Sequence, residues 1–315
     1  LFVQYIVYRL LNLLLNKFNN QKEKIENLRI LPQAELGIRT RSILKSSVYS
    51  ARIEGFTDEI DSPKKASQNL LSAYNLVHSG KLHTLNLDNI KLLHQHVLKN
   101  MSANVGSFRT EPWAIFDAAG NAIYLAPMHF EVPALMEEFV HFIPKINEHP
   151  AIVAAIAQFI FEKIHPFPDG NGRVGRLISA LVLVQRGYGL KGLVPFEKYL
   201  DLHKSEYYQS LESSNNITQF IHFFLSALTN EIDEIIYGLE SATIDTESLL
   251  LPRRKEILSI IRDHPMCSFD QVRRRFLAVN PKTLHYDLAQ LTKSGYIKKI
   301  GATRGSPFQK GKINC

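Results

Sequence analysis

Twelve residues hold the densest chemistry in the chain: His165-Pro166-Phe167-Pro168-Asp169-Gly170-Asn171-Gly172-Arg173-Val174-Gly175-Arg176. His165 carries an imidazole whose ordinary pKa lies near neutrality, which suits a general base. Asp169 offers a hard oxygen ligand of the kind Mg²⁺ takes beside phosphates. Gly170, Asn171 and Gly172 read as the start of a helix, where backbone N–H groups point outward and the helix dipole favours an anion. Glycines there let a phosphate approach the backbone closely. Arg173 and Arg176 are three apart, so both guanidiniums fall on one helix face, and arginine matches phosphate oxygens bidentately. Phe167 points the other way and anchors the loop in the core. A base, a metal ligand, an anion cradle and paired cations together fit phosphoryl or nucleotidyl transfer.

These groups need a rigid mount, and the flanking sequence supplies one. The stretch 150–164 is apolar nearly all round, as a buried central helix is, and 174–186 reads as a second apolar helix stopped by Gly187 and Gly189. Upstream, 1–18 reads as an amphipathic helix and 21–27 as a polar helix end or connection. Helices are expected over 35–54, closed by Gly55 at the C′ position, from Ser62-Pro63 through Val77, over 86–99 and over 132–147. Between them, Trp113 to Phe116 and Ala122 to Leu125 are strand-like and flank Asp117-Ala118-Ala119-Gly120-Asn121, a short hairpin. The stretch 195–212 holds Tyr199, Tyr207 and Tyr208, and a long helix is expected over 218–239. Ser241 to Ser248 is polar and reads as a linker.

The chain has 315 residues, 45% hydrophobic and 21% charged, enough for a full core and two or three domains. Cys267 and Cys315 give neither a disulfide framework nor a metal-ligand spacing, so a reducing, cytoplasmic setting is expected. The apolar start is interrupted by Gln4, Arg9, Asn12, Asn16 and Lys17, too broken for a membrane span, and no small-residue cleavage site follows it. Opening on Leu1 rather than Met is expected of a fragment or a processed chain. The net charge of +7 is unevenly spread. Residues 252–315 hold 14 Lys and Arg against 4 Asp and Glu, a net of +10, which leaves −3 for 1–251. A polyanion partner is therefore expected only at the C-terminal end.

The twelve-residue stretch resembles the signature loop of the Fic (filamentation) family, His-x-Phe-x-Asp/Glu-Gly-Asn-Gly-Arg-x-x-Arg, with every fixed position filled. The resemblance implies transfer of AMP from Mg·ATP to a hydroxyl of a target protein. His165 would deprotonate that hydroxyl and Asp169 would hold Mg²⁺. Gly170, Asn171 and Gly172 would form the anion hole, with Arg173 on the phosphates and Arg176 on the γ-phosphate. The family's phosphotransferase branch has Lys in place of the second glycine; Gly172 is intact here, which points to nucleotidyl transfer. Ser50-Ala51-Arg52-Ile53-Glu54-Gly55 is similar to the family's inhibitory helix. Read alone it is a helix end. Beside the full loop it implies that Glu54 pairs with Arg176, since a carboxylate can compete with a phosphate for a guanidinium. The hairpin 113–125 stands where the family has a flap on which target segments dock as an added strand. Tyr207 and Tyr208 would line an adenine pocket or pack in the core. Removal of AMP at the same site, with Glu54 positioning water, is a further reading.

Residues 252–315 look like a winged helix-turn-helix: helices over 254–263 and from the Ser268 cap to Leu277, a recognition helix from Pro281 to Ser294, a strand at 296–300 and a wing at 303–308. Arg273, Arg274 and Lys282 would meet phosphates, and His285 and Tyr286 would reach bases. Many related DNA readers have Arg where Tyr286 stands, so a protein-binding or dimerisation module is the alternative, and a homodimer is compatible with it. The expected fold is mainly α: a Fic-type helical core with a β-hairpin flap, plus a C-terminal winged helix-turn-helix domain. Its divisions are 1–95 (with the inhibitory helix), 96–240, a linker 241–251, and 252–315. The family resemblance spans about 45–230. The rival to a transferase is a DNA-binding regulator whose Fic core senses nucleotide.

Overall fold

A computed structural model describes residues 2–27, 32–116, 120, 122–212, 216–241, 250–264, 266–301 and 306–311. The chain forms two compact units, Leu1–Gly238 and Leu239–Cys315. The first unit has ten α-helices among the described residues: α1 (Phe2–Asn27), α2 (Pro32–Ile53), α3 (Lys65–His78), α4 (Leu87–Val97), α5 (Val132–Phe142), α6 (Pro150–Ile164), α7 (Asn171–Gln185), α8 (Glu197–Leu202), α9 (Lys204–Glu212) and α10 (Thr218–Ser241). The last of these runs three residues past the unit's end. One hydrophobic core runs from Phe18 in α1 to Ile236 in α10, so the segments 1–95 and 96–240 share it.

The centre of that core is the pair α6 and α7, which pack along each other. Alanines 151, 154, 155 and 157 of α6 are all fully buried, and their small side chains admit a neighbouring helix closely. Helix α7 starts at Asn171, three residues before the apolar run that announces it, because the loop's glycine and asparagine form its first turn. Helix α1 is continuous through Asn27, so of the two readings of 21–27 the helix end holds and the connection does not. Its buried stripe continues past Phe18 through Gln21 to Ile25, and Gln21 Nε2 donates to the Thr229 carbonyl at 2.9 Å and to Asp233 Oδ1 at 2.5 Å. A buried glutamine whose amide N–H groups are taken up keeps the stripe intact where the sequence reads as polar.

Helix α3 starts at Lys65, not at Ser62-Pro63. Its first turn is held from outside by Asp58, whose Oδ2 accepts from the backbone N–H groups of Lys64 (3.1 Å) and Ser67 (3.3 Å). Helix α4 begins where expected, with Asn86 capping Asn89 N–H. The hairpin is present as β1 (Ala114–Phe116) and β2 (Ala122–Leu125), antiparallel with Ile115 opposite Tyr124 and an irregularity after Ile115. Of its turn, 117–119 and 121 lie outside the described residues. Helix α5 ends at Phe142 and passes into a 3₁₀ turn at Ile143–Lys145.

The second unit holds α11 (Pro252–Asp263), α12 (Phe269–Arg275) and α13 (Pro281–Lys293), with β3 (Ile297–Lys299) antiparallel to β4 (Phe308–Lys310). Ser268 opens α12 with a capping box to Gln271, and Asn280 caps α13. Its own small core contains Ile257, Leu258 and Ile261 of α11 and Leu284, Leu288 and Leu291 of α13. Residues 302–305, which include half of the wing at 303–308, and 242–249, most of the linker, lie outside the described residues.

Candidate active site

The loop between α6 and α7 is a rigid object. Helix α6 ends on His165, a non-glycine residue held in the left-handed region (φ 48°), with Pro166 next to stop the helix. Gly170, at φ 82°, takes the left-handed turn that opens α7. Phe167 is fully buried, as expected of an anchor, and its ring stacks on His94 of α4 at 3.8 Å between centroids. Asn171 closes the loop from within: its Oδ1 accepts from Phe167 N at 2.9 Å and its Nδ2 donates to the Phe167 carbonyl at 2.7 Å. Its backbone N–H, the group expected to face an anion, is left for a ligand. His94 braces the other side. Its Nδ1 accepts from Gly106 N–H at 2.7 Å, so its Nε2 carries the proton and donates to the Asp169 carbonyl at 3.0 Å. Burial keeps that imidazole below the ordinary histidine range.

Beside the loop lies a cavity of about 770 Å³. His165, Gly172, Arg176, Glu54, Tyr207 and Tyr208, all expected at a site, line it together. Burial draws His165 down to about 4; Arg109 adds to the fall, while the Glu162 backbone, Glu54 and Asp169 oppose it. The imidazole is therefore neutral near pH 7, as a base must be. Trp113, just before β1, stacks on it at 3.5 Å between ring centroids.

The two arginines of the loop have different surroundings. Arg176 is fully buried and well provided: Nε donates to Ser50 Oγ (2.9 Å), Nη2 to the Ser50 carbonyl (2.9 Å) and to Glu54 Oε1 (2.8 Å), and Nη1 to Tyr207 Oη (3.3 Å). Burial alone would lower its pKa, but Tyr207 and Glu54 raise it above the ordinary value. Arg173 is also buried. Its Nη2 donates to Asp169 Oδ1 at 3.0 Å and its guanidinium lies over the Phe56 ring, but its Nε and Nη1 are buried without partners. Unpaired buried N–H groups are costly, and next to a helix N-terminus they match an anionic oxygen.

The end of α2 is shaped to deliver Glu54. Gly55 (φ 90°) stops the helix, Phe56 N–H returns to the Ala51 carbonyl (3.3 Å) and Gly55 N–H to the Arg52 carbonyl (2.9 Å). That pair of bonds is a Schellman closure, which fixes the direction of Glu54. Gly172 leaves the space Glu54 fills, since a Cβ there would overlap Glu54 Oε1 and stand 3.2 Å from Arg176 Nη1.

Tyr207 is buried, with its hydroxyl accepting from Gln158 (2.9 Å) as well as Arg176. Tyr208 is 39% exposed to the cavity and donates to the Ile53 carbonyl at 3.1 Å. Sequence reasoning missed three contributors. Glu162 lines the cavity with its Oε1 buried and unpaired, and burial pushes its carboxyl up to about 8, Glu54 adding to the rise and Arg176 opposing it. It appeared only as a polar interruption of an apolar helix. His94 and Arg109 lie far from the loop in sequence, and neither carries a local signal of its role.

Asp169 has a side chain 66% exposed; its Oδ1 accepts from Gly170 N–H and Arg173 Nη2, and its Oδ2 has no hydrogen-bond donor among the described residues. Among the described residues no cluster of three or more His, Cys, Asp or Glu side chains forms a metal cage. A single exposed carboxylate beside a phosphate cradle fits Mg²⁺, which takes most of its shell from phosphates and water.

The second unit displays Arg273, Arg274, Lys282, His285 and Tyr286 on its surface. His285 stacks on Phe269 at 3.9 Å, and Arg254 stands 5.7 Å over the Tyr286 ring. Arg253 and Arg254 are committed to the buried Asp287 at 2.6 and 2.9 Å. No helix among the described residues is long and apolar enough to cross a membrane.

Residues 84–183 match the family described as Fic/DOC. Over 116 residues the chain is 33% identical to a Fido domain-containing protein of Dictyostelium discoideum, a match covering 36% of this chain and 74% of that protein. The chain belongs to the Fic/DOC family. This Fic/DOC protein is also 28% identical over 164 residues to the protein adenylyltransferase Fic of Drosophila virilis, covering 49% of this chain and 30% of the relative. It spans less than a third of the length of that and several other adenylyltransferases it matches. Its fold is similar to a crystal structure of a Fic family protein from Desulfovibrio desulfuricans, with a TM-score of 0.69 over 97% of both chains at 19% identity. A Fic-1 fragment from C. elegans aligns at TM-score 0.61 over 77% of this chain and 75% of its own, also at 19% identity. The mainly helical Fic core with small hairpins is thus the fold of the family.

Proposed function

We propose that the first unit is a protein adenylyltransferase held off by its own α2. The observation that carries this is the contrast at the loop: Arg176 is occupied by Ser50 and Glu54, while Arg173 has two buried N–H groups waiting for acceptors. In the open state the triphosphate of ATP lies along the N-terminus of α7, with Asn171 and Gly172 offering backbone N–H groups, Gly170 making the turn with its own N–H on Asp169 Oδ1 (2.6 Å), Arg173 on the phosphates and Arg176 on the γ-phosphate. Mg²⁺, held by Asp169, would neutralise charge on the phosphate oxygens. The neutral His165 takes the proton of a target hydroxyl. The freed oxygen bonds to the α-phosphorus, the α–β phosphoanhydride bond breaks, and pyrophosphate leaves with its electron pair. The hairpin 113–125 presents the target segment, and Tyr208 faces the base of the nucleotide, with Tyr207 holding Arg176 from behind.

With Glu54 on Arg176, that guanidinium cannot take the γ-phosphate, and the triphosphate is not aligned for in-line displacement. The test is mass spectrometry of the Glu54→Gly protein with candidate targets after incubation with each nucleoside triphosphate. A mass gain of one AMP on protein, abolished by His165→Ala, is expected. No nucleotide adduct on any protein overturns the reading, and loss of AMP from a pre-modified target by the unaltered chain would recast Glu54 as the residue that positions water.

A second reading concerns residues 252–315, for which a winged helix-turn-helix is proposed on the order of α11, α12, α13 and the β3–β4 hairpin. The surface set Arg273, Arg274, Lys282, His285 and Tyr286, with the +10 charge, favours DNA as its partner. Salt-sensitive retardation of DNA fragments that is lost in an Arg273→Ala/Arg274→Ala/Lys282→Ala variant supports it. Binding without salt dependence argues for a protein partner.

A further inference from the structure

The hairpin and the base are joined by a residue that has no place in the chemistry described above. Arg109 is 4% exposed, and every acceptor of its guanidinium is a backbone carbonyl. Nε donates to His165 O at 2.8 Å, and Nη2 reaches Ile164 O at 3.4 Å. On the other side, Nη1 donates to Glu111 O at 2.9 Å and Nη2 to Pro127 O at 2.5 Å, the residues just outside the two strands of the hairpin. Its own backbone N–H donates to Pro166 O at 2.9 Å. One residue thus takes three consecutive carbonyls, 164 to 166, at and just beyond the C-terminus of α6, where a cation also complements the dipole.

Two further contacts run in parallel. Tyr124 of β2 donates to the Lys163 carbonyl at 2.5 Å, extending the series of capped carbonyls to 163–166. Trp113, two residues beyond Glu111, lays its indole on the His165 ring. His165 needs such support because it sits in the left-handed region, which a side chain bearing a Cβ enters at a cost.

We propose that Arg109 is the positioning residue of this site: it clamps the peptide of His165 in its left-handed geometry and ties that geometry to the base of the hairpin, so that occupancy of the hairpin by a target peptide is felt at the base. The inference rests on the adenylyl-transfer reading for its kinetic arm only. Arg109 touches neither the cavity groups that face the phosphates nor Glu54, so its loss acts on the proton-transfer step and leaves nucleotide binding in place. A misplacement of about 1 Å at a base costs on the order of 100-fold.

The test uses the full chain in the Glu54→Gly background, with Arg109→Gln, Arg109→Lys and Tyr124→Phe. Arg109→Gln is expected to lower kcat for AMP transfer about 100-fold with KM for ATP within about twofold. Arg109→Lys keeps the charge, but one ammonium cannot span His165, Glu111 and Pro127 together, so a loss of about tenfold is expected. Tyr124→Phe removes a single bond and should lower kcat by less than either. A kcat unchanged in Arg109→Lys, or a rise in KM for ATP that matches the fall in kcat, overturns the proposal.

The second readout does not use activity. Trp113 is the one tryptophan of the chain, so its emission reports the stack on His165. With Arg109 present, His165→Ala changes that emission. With Arg109→Gln or Arg109→Lys, the stack is loosened and the same His165 substitution should change it little. An equal change in both backgrounds overturns the coupling. If the fluorescence coupling holds but Glu54→Gly transfers no AMP, the adenylyl-transfer reading fails and the clamp stands.

Discussion

Two buried guanidiniums, Arg109 and Arg176, hold the two ends of the same loop in different ways. Arg109 is satisfied wholly by backbone carbonyls, which stay where the chain puts them. Arg176 is satisfied by one carbonyl, two hydroxyls and one carboxylate, and that carboxylate belongs to Glu54, a residue at the very end of a helix whose side chain is 26% exposed. A partner made of backbone cannot be exchanged without unfolding. A partner made of one terminal side chain can. On the proposed reading, the base end of the loop is fixed and the phosphate end is switchable, and a triphosphate would have only to outcompete Glu54 to convert one state into the other.

The largest effect that would break this comparison is at the fixed end. His165→Ala in the Glu54→Gly protein should lower AMP transfer by about 10³-fold or more, at the upper range of general-base contributions, with little change in KM for ATP. Labelled ATP and steady-state kinetics measure it. A loss below about tenfold would mean that the imidazole is not the base and that the fixed end has no catalytic purpose.

At the switchable end, Glu54→Gly should raise transfer by the unaltered loop about 10- to 100-fold, the equivalent of one charge-assisted hydrogen bond of about 1.5–3 kcal/mol. The same substitution should lower Tm without nucleotide, because Arg176 loses a partner, and Mg·ATP should restore it by supplying another. Thermal melts with and without nucleotide check both signs together. A Tm that falls and does not recover with Mg·ATP would deny Arg176 its second partner.

The pH dependence sharpens the same contrast. His165 is drawn down to about 4, so it is neutral above that pH and charged below it. The acid limb of kcat/KM in the Glu54→Gly protein should thus fall near pH 4 and not near the ordinary histidine value of about 6.5. Arg109 contributes to that depression, so Arg109→Gln should move the limb upward. For stability the sign is the same: a histidine depressed in the folded state contributes fully above its unfolded pKa and loses that contribution as pH falls through the folded one. His78, also drawn down to about 4 by burial with Arg39 beside it, should act likewise, so acid melts should begin to drop below about pH 6.5.

Much of the switchable end was legible in the sequence, because it is local. The signature from His165 to Arg176 is contiguous, and Ser50, Glu54 and Gly55 fall within one helical turn and its stop. The Schellman closure at Gly55 follows from glycine's freedom to adopt positive φ, a property the sequence displays directly. At the fixed end His165 was legible, but what holds it was not. Arg109 precedes His165 by 56 residues, and its acceptors are carbonyls, which every residue has and no sequence distinguishes. His94 hid on an apolar helix face, where a histidine usually signals only a satisfied core residue. Asn171 was read by its place in the motif, yet its side chain is spent within the loop on Phe167. Pro63 misled because a proline near a helix start is a good first-turn residue, while here Asp58, upstream of it, holds the first turn.

The smallest effects separate Tyr207 and Tyr208 of the cavity, which neighbour each other in sequence but would serve different ends of the proposed switch. Tyr208 donates to the Ile53 carbonyl, one residue before Glu54, and so steadies the end of α2. Half-exposed, with its hydroxyl pushed up to about 12 by burial and Glu54, it stays protonated and remains a donor at any working pH. Tyr208→Phe in the otherwise unaltered chain should loosen the inhibitory end by about 0.5–1 kcal/mol and raise basal transfer about two- to fivefold. Tyr207 sits behind Arg176 and accepts from it and from Gln158. Tyr207→Phe removes a holder of the guanidinium that Glu54 uses and that, on the proposed reading, the γ-phosphate would use, so it should leave basal transfer nearly unchanged. In the Glu54→Gly background it should instead raise KM for ATP about two- to fivefold, with kcat preserved. If the two substitutions have the same signature, Arg176 and the end of α2 do not move independently, and the loop has no separable fixed and switchable ends.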